Sequence, residues 1–287
     1  MKYYKQIRNV LVIVLVVNLG VAFARIGFGY TIHSSSMIAD GVHALSDGLS
    51  NVVALIGLWI ASRPADKKFP YGYHKFETLA VLGIAFILGL GAFEVLRGVW
   101  SRLSTGNRPE FSFYALGVLL ATMIINIGVV YFEKKYSKKY GSDVLHADSE
   151  HTLSDLIISI SVIISLISIK LGYPQLDAIV AVAIVLAVLR IAYKLVTHSS
   201  KILMDSQVLD PEKIKEIACG IPGINECHAV KTRGGHHETF VDMHVRVNPS
   251  MSVREAHDLA TRVEERIKEL GGIKEVIVHV EPENPSS

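Results

Sequence analysis

Only two of the 287 residues are cysteine, Cys219 and Cys227, and they are not spaced as a C-x-x-C pair. That excludes both a disulfide scaffold and a thiolate zinc finger. Charge is also scarce. Charged residues make up 20% of the chain, below the quarter usual for a soluble protein, and 29 basic against 27 acidic residues leave a net charge of +2. Such a balance supplies no field for nucleic acid or an acidic polymer. No small-residue cleavage site follows a short apolar core near the N-terminus, so the first apolar run reads as a true span and not as a removed signal peptide.

What the chain has instead is apolar residue, 50% with a mean hydropathy of +0.37, and histidine, twelve against ten Phe and six Met. The hydrophobic excess belongs in lipid. Stretches near the length of about 20 residues that a bilayer requires recur at 10–30, 37–61, 78–100, 113–132, 153–171 and 176–196, which predicts six transmembrane helices. Arg63, Lys67, Lys68 and Lys75 follow the second run, and Lys134, Lys135, Lys138 and Lys139 follow the fourth. The alternate loops are poorer in positive charge, which places both termini in the cytoplasm.

From about residue 198 no window is long and apolar enough to span, and charged residues become frequent. The chain therefore divides into a six-helix transmembrane domain at 1–197 and a cytoplasmic domain at 198–287. Residues 211–218 read as a short helix, 226–232 and 239–247 as strands, 253–270 as an amphipathic helix and 273–280 as a strand. The order αββαβ predicts a ferredoxin-like α+β domain, a small antiparallel sheet with two helices on one face. Its core is modest at this size and gains from a partner chain.

The chemistry sits in a repeat. Residues 39–47 read Ala-Asp-Gly-Val-His-Ala-Leu-Ser-Asp and residues 147–155 read Ala-Asp-Ser-Glu-His-Thr-Leu-Ser-Asp, sharing the pattern A-D-x-x-H-x-L-S-D. The first copy falls in the second predicted helix and the second at the start of the fifth. In each, His and Asp are four apart and share a helical face. Ionisable groups at membrane depth are costly and mark functional sites. Two facing copies would bring His43, Asp47, His151 and Asp155 together, and two imidazoles with two carboxylates make a natural tetrahedral shell for Zn2+. Polar glue between helices is the alternative, but neutral Ser, Thr or Asn serves that purpose without ionisable groups. Asp40 and Asp148, three residues before each His, are placed to orient the imidazoles. The absence of sulfur ligands argues against copper(I), and the two imidazoles argue against an all-oxygen Mg2+ or Ca2+ site. Zn2+ leads, with Cd2+, Co2+, Fe2+, Mn2+ and Ni2+ open.

These residues resemble the cation diffusion facilitator family over nearly the whole chain: six helices, paired H-x-x-x-D motifs on helices two and five, and a cytoplasmic αββαβ tail. The resemblance implies a homodimer in the lipid bilayer that exports divalent metal in exchange for protons, and the H-D and H-D quartet is similar to that of zinc-preferring members. It implies tail metal ligands at His228, His244, His257, His279 and Glu281, with Glu where relatives carry Asp. It also raises a loop site after the second helix. There Asp66 matches, but Phe69 and Tyr73 stand where some relatives have His and His74 is one residue out of register, so an ordinary cytoplasmic turn remains open. His236 and His237 follow Gly234-Gly235 in a hairpin, and Cys227 beside His228 is either a ligand or a buried thiol.

The expected function is zinc efflux by metal/proton antiport in a prokaryotic plasma membrane, with metal as substrate, no prosthetic group and no nucleic-acid partner. Two readings of other classes stand beside it: an intramembrane metalloenzyme, for which no H-E-x-x-H motif is present, and a membrane-tethered metal sensor whose helices only anchor.

Overall fold

A backbone crossing lipid must satisfy its own hydrogen bonds, which leaves the helix as the form for an apolar run. The computed structural model describes residues 2–31, 35–105, 113–170, 175–235 and 238–283. Its first part is built of α1 (Lys2–Thr31), α2 (Ser35–Ala61), α3 (Lys75–Thr105), α4 (Phe113–Tyr140), α5 (Asp143–Lys170) and α6 (Gln175–Leu203). Within the described residues α1, α3, α4 and α6 are long and apolar enough to cross a membrane, and α2 keeps a shorter apolar stretch at Gly48–Ala61. Large apolar side chains such as Phe86 and Ile124, 69% and 70% exposed, turn outward, as lipid-facing residues do. The chain is a multi-pass membrane protein.

The two motif copies lie on α2 and α5. α2 packs on α1, α3 and α5, and α5 packs on α3 and α4. α5 begins at Asp143, well before the apolar window at 153–171, so the second copy lies inside a helix and not at its start. Its buried face there is polar: Asp148, Ser149, His151, Thr152 and Ser154 are all below 9% exposure. Below this level Ile7, Leu11, Leu58, Ile84, Leu88 and Leu145 pack in a dry core that joins α1, α2, α3 and α5, to which α6 adds Val188 and Leu195.

Two glycines set how closely α2 approaches its neighbours. A Cβ on Gly41 would come within 2.9 Å of the Ile26 backbone nitrogen on α1, and one on Gly57 would collide with Ala80 Cβ on α3. Small residues at such crossings let backbones meet, which is how helices associate in lipid.

By packing, the chain divides into two units, residues 1–199 and 200–287. The second contains α7 (Pro211–Cys219), β1 (Glu226–Gly235), β2 (Glu238–Val247), α8 (Val253–Lys268) and β3 (Ile273–Pro282). Asp210 caps α7 ahead of Pro211, and Ser252 with Glu255 forms a capping box on α8. The strand order is β1-β2-β3, with β1 antiparallel to β2. β3 runs parallel to β2, which corrects the expected all-antiparallel sheet. The reason is the connection: α8 carries the chain back along the sheet, so β3 enters in the direction of β2, as in any strand–helix–strand crossover. Val241, Met243, Val245 and Val247 of β2 pack against Ile214 of α7 and Leu259, Val263 and Ile267 of α8 on one face, leaving the other face open.

Candidate metal sites

The second motif copy is at the centre of a polar network that joins four helices. Asp148 is fully buried, and its two oxygens are given to α2: Oδ1 accepts from Ser50 Oγ at 3.1 Å and Oδ2 from Asn51 Nδ2. Asn51 Oδ1 in turn accepts from Asn18 Nδ2 of α1 at 2.9 Å. On the other side Glu133 of α4, also fully buried, accepts from Thr152 Oγ1 at 3.1 Å and lies against the Asp148 carboxyl. Asp148, expected to orient an imidazole, thus holds α5 to α2. Glu150, at a variable position of the motif, pairs with Lys134 at 3.0 Å.

Beside this network is a cavity of about 40 Å³ walled in part by Asn18, Arg25, Ala44, Asn126, His151 and Asp155. That is room for a water or a bare ion. His151 is 6% exposed, and its Nε2 lies 3.7 Å from Asp155 Oδ2. The α5 half of the proposed quartet is therefore at one point, at a separation that a bridging metal spans. His43 and Asp47 are in α2, whose Ala44 lines the same cavity. The side chains of His43, Asp47 and Asp40 lie outside the described residues. Sequence reasoning missed Asn18, Asn51 and Glu133. Their signal was a single polar residue in an apolar helix, which by itself reads as glue.

In the tail, strand register sets out a second group. His228 of β1 pairs with His244 of β2, and His244 pairs with His279 of β3, so three histidines stand in one row across the open sheet face. The bulge after His228, where Ala229 takes a positive φ of 52°, ends that register. Glu281, two residues beyond His279, turns back into the row. His244 Nδ1 is 2.9 Å from Glu281 Oε1 and His228 Nε2 is 3.3 Å from Glu281 Oε2, with His279 Nε2 at 3.8 Å from Oε1. One ligand atom each from His228, His244 and Glu281 falls within 4.8 Å of the others, the spacing of a metal shell. The hydrogen bond with His244 holds the Glu281 carboxyl below its ordinary range, aided by the nearby histidines.

His257 is not brought into this group. It is exposed on α8, the helix that covers the opposite face of the sheet. His236 and His237 lie outside the described residues. Cys227 is buried in the core, on the face away from the histidines, and burial pushes its thiol up to about 11.

Asp66 is used by its own loop. Oδ1 accepts from the N–H groups of Lys68 and Phe69, each at 2.8 Å, and Oδ2 accepts from Tyr73 Oη at 2.7 Å. The Tyr73 hydrogen bond is the largest of the effects that lower the Asp66 carboxyl. Phe69 and Tyr73, at the positions where some relatives carry histidine, pack against each other with ring centres 4.4 Å apart and planes tilted by 47°. These contacts are those of an Asx turn tied by aromatics.

The cation efflux transmembrane domain matches residues 11–204, and the cytoplasmic domain of cation efflux proteins matches residues 209–283. The chain is 28% identical over 281 residues to an uncharacterized transporter of Methanocaldococcus jannaschii, covering 96% of this chain and 99% of that one. It is 31% identical to metal tolerance protein 2 of Oryza sativa subsp. japonica, with 88% and 72% covered. It is 28% identical to the manganese efflux system protein MneS of Bacillus subtilis, with 88% of each covered. With both its membrane part and its tail matched, the chain belongs to the cation efflux, or cation diffusion facilitator, family, and it is a divalent-cation efflux transporter and not an enzyme.

Proposed function

We propose that this transporter exports Zn2+ in exchange for protons, as a homodimer in a prokaryotic plasma membrane with both termini in the cytoplasm. The observation that carries the reading is the matched His-x-x-x-Asp pair on α2 and α5, the α5 pair walling a small cavity among the helices. His43, Asp47, His151 and Asp155 form the transport site. Neutral imidazole and ionised carboxylate bind either metal or protons, so the two compete for one set of ligands and exchange needs no separate proton route. Two nitrogens with two oxygens suit zinc. Manganese is the second reading, because a Bacillus subtilis relative is named a manganese efflux protein, although oxygen-rich shells suit that ion better.

In the tail, His228, His244, His279 and Glu281 bind metal on the open sheet face, where it ties two copies together or reports cytoplasmic metal. His257 becomes a ligand there only by reaching the open face of a second copy. Asp66 organises its loop and would hold metal at a third site only by giving up the hydrogen bonds it accepts there.

The test is metal uptake into proteoliposomes with an imposed proton gradient, across Zn2+, Cd2+, Co2+, Ni2+, Fe2+ and Mn2+. Zinc should accumulate most, and collapsing the gradient should stop it. Uptake indifferent to the gradient would overturn the antiport, and a preference for manganese would overturn the zinc assignment alone. A form lacking residues 1–197 that kept all function would favour the tethered sensor.

A further inference from the structure

After Lys2, Lys5 and Arg8 at its start, α1 carries a single further charged residue, Arg25. A guanidinium at membrane depth is costly, and such a group is found facing a bundle interior or running to the interface. Thr31 ends the helix six residues later, close enough for a long basic side chain to snorkel toward the surface. It does not take that course. Its Nε is buried, and its side chain walls the cavity shared with His151 and Asp155. Arg25 thus lines the same cavity as both members of the α5 pair.

We propose that Arg25 is a tethered counter-cation of the transport cavity: once metal has left, its guanidinium stands in for the dication beside the carboxylates, and arriving metal must displace it. The proposal rests on the reading of this cavity as the transport site. A guanidinium keeps its charge at any physiological pH, so its contribution is constant through the cycle. Between metal release and proton binding, with Asp47 and Asp155 ionised and the histidines neutral, Arg25 leaves the empty site with one net negative charge, and it leaves the metal-loaded site with one net positive charge. Without it the empty site would carry two negative charges and the loaded site none. Burial cost rises steeply with net charge. Arg25 therefore brings the empty and loaded states to similar cost, which lets both halves of the exchange cycle proceed. Glu133 and Asp148 are held by Thr152, Ser50 and Asn51 in the network beside the cavity and are not among the residues that wall it, so the count is of the cavity's own groups.

The experiment measures zinc affinity in detergent by dye competition and zinc turnover in proteoliposomes, on the full chain. Arg25→Gln should bind zinc at least about tenfold tighter and turn over at least about tenfold more slowly, the scale of a unit charge removed from the wall of the binding cavity. Arg25→Lys keeps the charge and should stay within about threefold of wild type in both, since only fork geometry is lost. If Arg25→Gln is not monodisperse, Arg25→Leu, a good membrane-helix residue, replaces it with the same expectation. Slower turnover without tighter binding, no change in either, or a Lys variant that behaves like Gln would each overturn the proposal. Asp155→Ala separates the two ideas. If it loses uptake while Arg25→Gln shows no split, the counter-cation alone fails; if it keeps uptake, the site fails and the counter-cation with it.

Discussion

Asn51 links the two halves of the polar network, because one amide both accepts from Asn18 and donates to Asp148. Replacing it by leucine removes both bonds and leaves a buried carboxylate oxygen without that donor. Asn51→Leu should lose about 1 to 3 kcal/mol of stability, the penalty for an unsatisfied buried polar group, read as a lower melting temperature in detergent. An unchanged melting temperature would contradict the network. The two thiols differ as clearly. Cys219 is exposed, whereas Cys227 is buried with its thiol pushed up to about 11. At pH 8 a thiol reagent should modify one cysteine per native chain and two after denaturation, since the thiolate is the reactive form. His151 and Asp155 were legible in the sequence because a repeat doubled their signal. Asn18, Asn51 and Glu133 were not, since each appears once and only packing shows that they meet.

At the scale of the element, apolarity located α1, α3, α4 and α6 well and misplaced the beginning of α5. That helix starts at Asp143, and its first turns bury Asp148, Ser149 and Thr152, which a hydropathy window scores as loop. The helix persists because Asp148 and Thr152 find partners on α2 and α4. In the tail, the αββαβ order was legible, but the direction of β3 was not. An antiparallel sheet was expected, yet a sixteen-residue crossover helix carries the chain back and makes β3 parallel to β2. α2 meets α3 closely only because Gly57 has no side chain, so Gly57→Leu must separate the two helices. Overpacking of this kind costs about 1 to 3 kcal/mol. The expected result is a lower melting temperature and slower uptake, while Gly117→Leu, with no neighbouring atom within 4 Å, should leave both unchanged.

For the molecule as a whole, two histidine groups have separate environments, one among membrane helices and one on an open sheet face. The composition showed both as one surplus of histidine, and periodicity placed them in different domains. The three-strand row of His228, His244 and His279 was not legible, because it depends on register across a parallel and an antiparallel pairing. His244→Ala removes the residue at the middle of that row. Zinc bound per full-length chain should fall, while uptake driven by the proton gradient should continue, since His244 is no part of the membrane cavity.

The central claim is that metal crosses at the His–Asp pairs of α2 and α5. Its most direct test is zinc accumulation in proteoliposomes under an imposed proton gradient, comparing wild type with Asp155→Ala. The account predicts accumulation by wild type and none above protein-free vesicles for Asp155→Ala, with both proteins monodisperse before reconstitution. Undiminished accumulation by Asp155→Ala would contradict it.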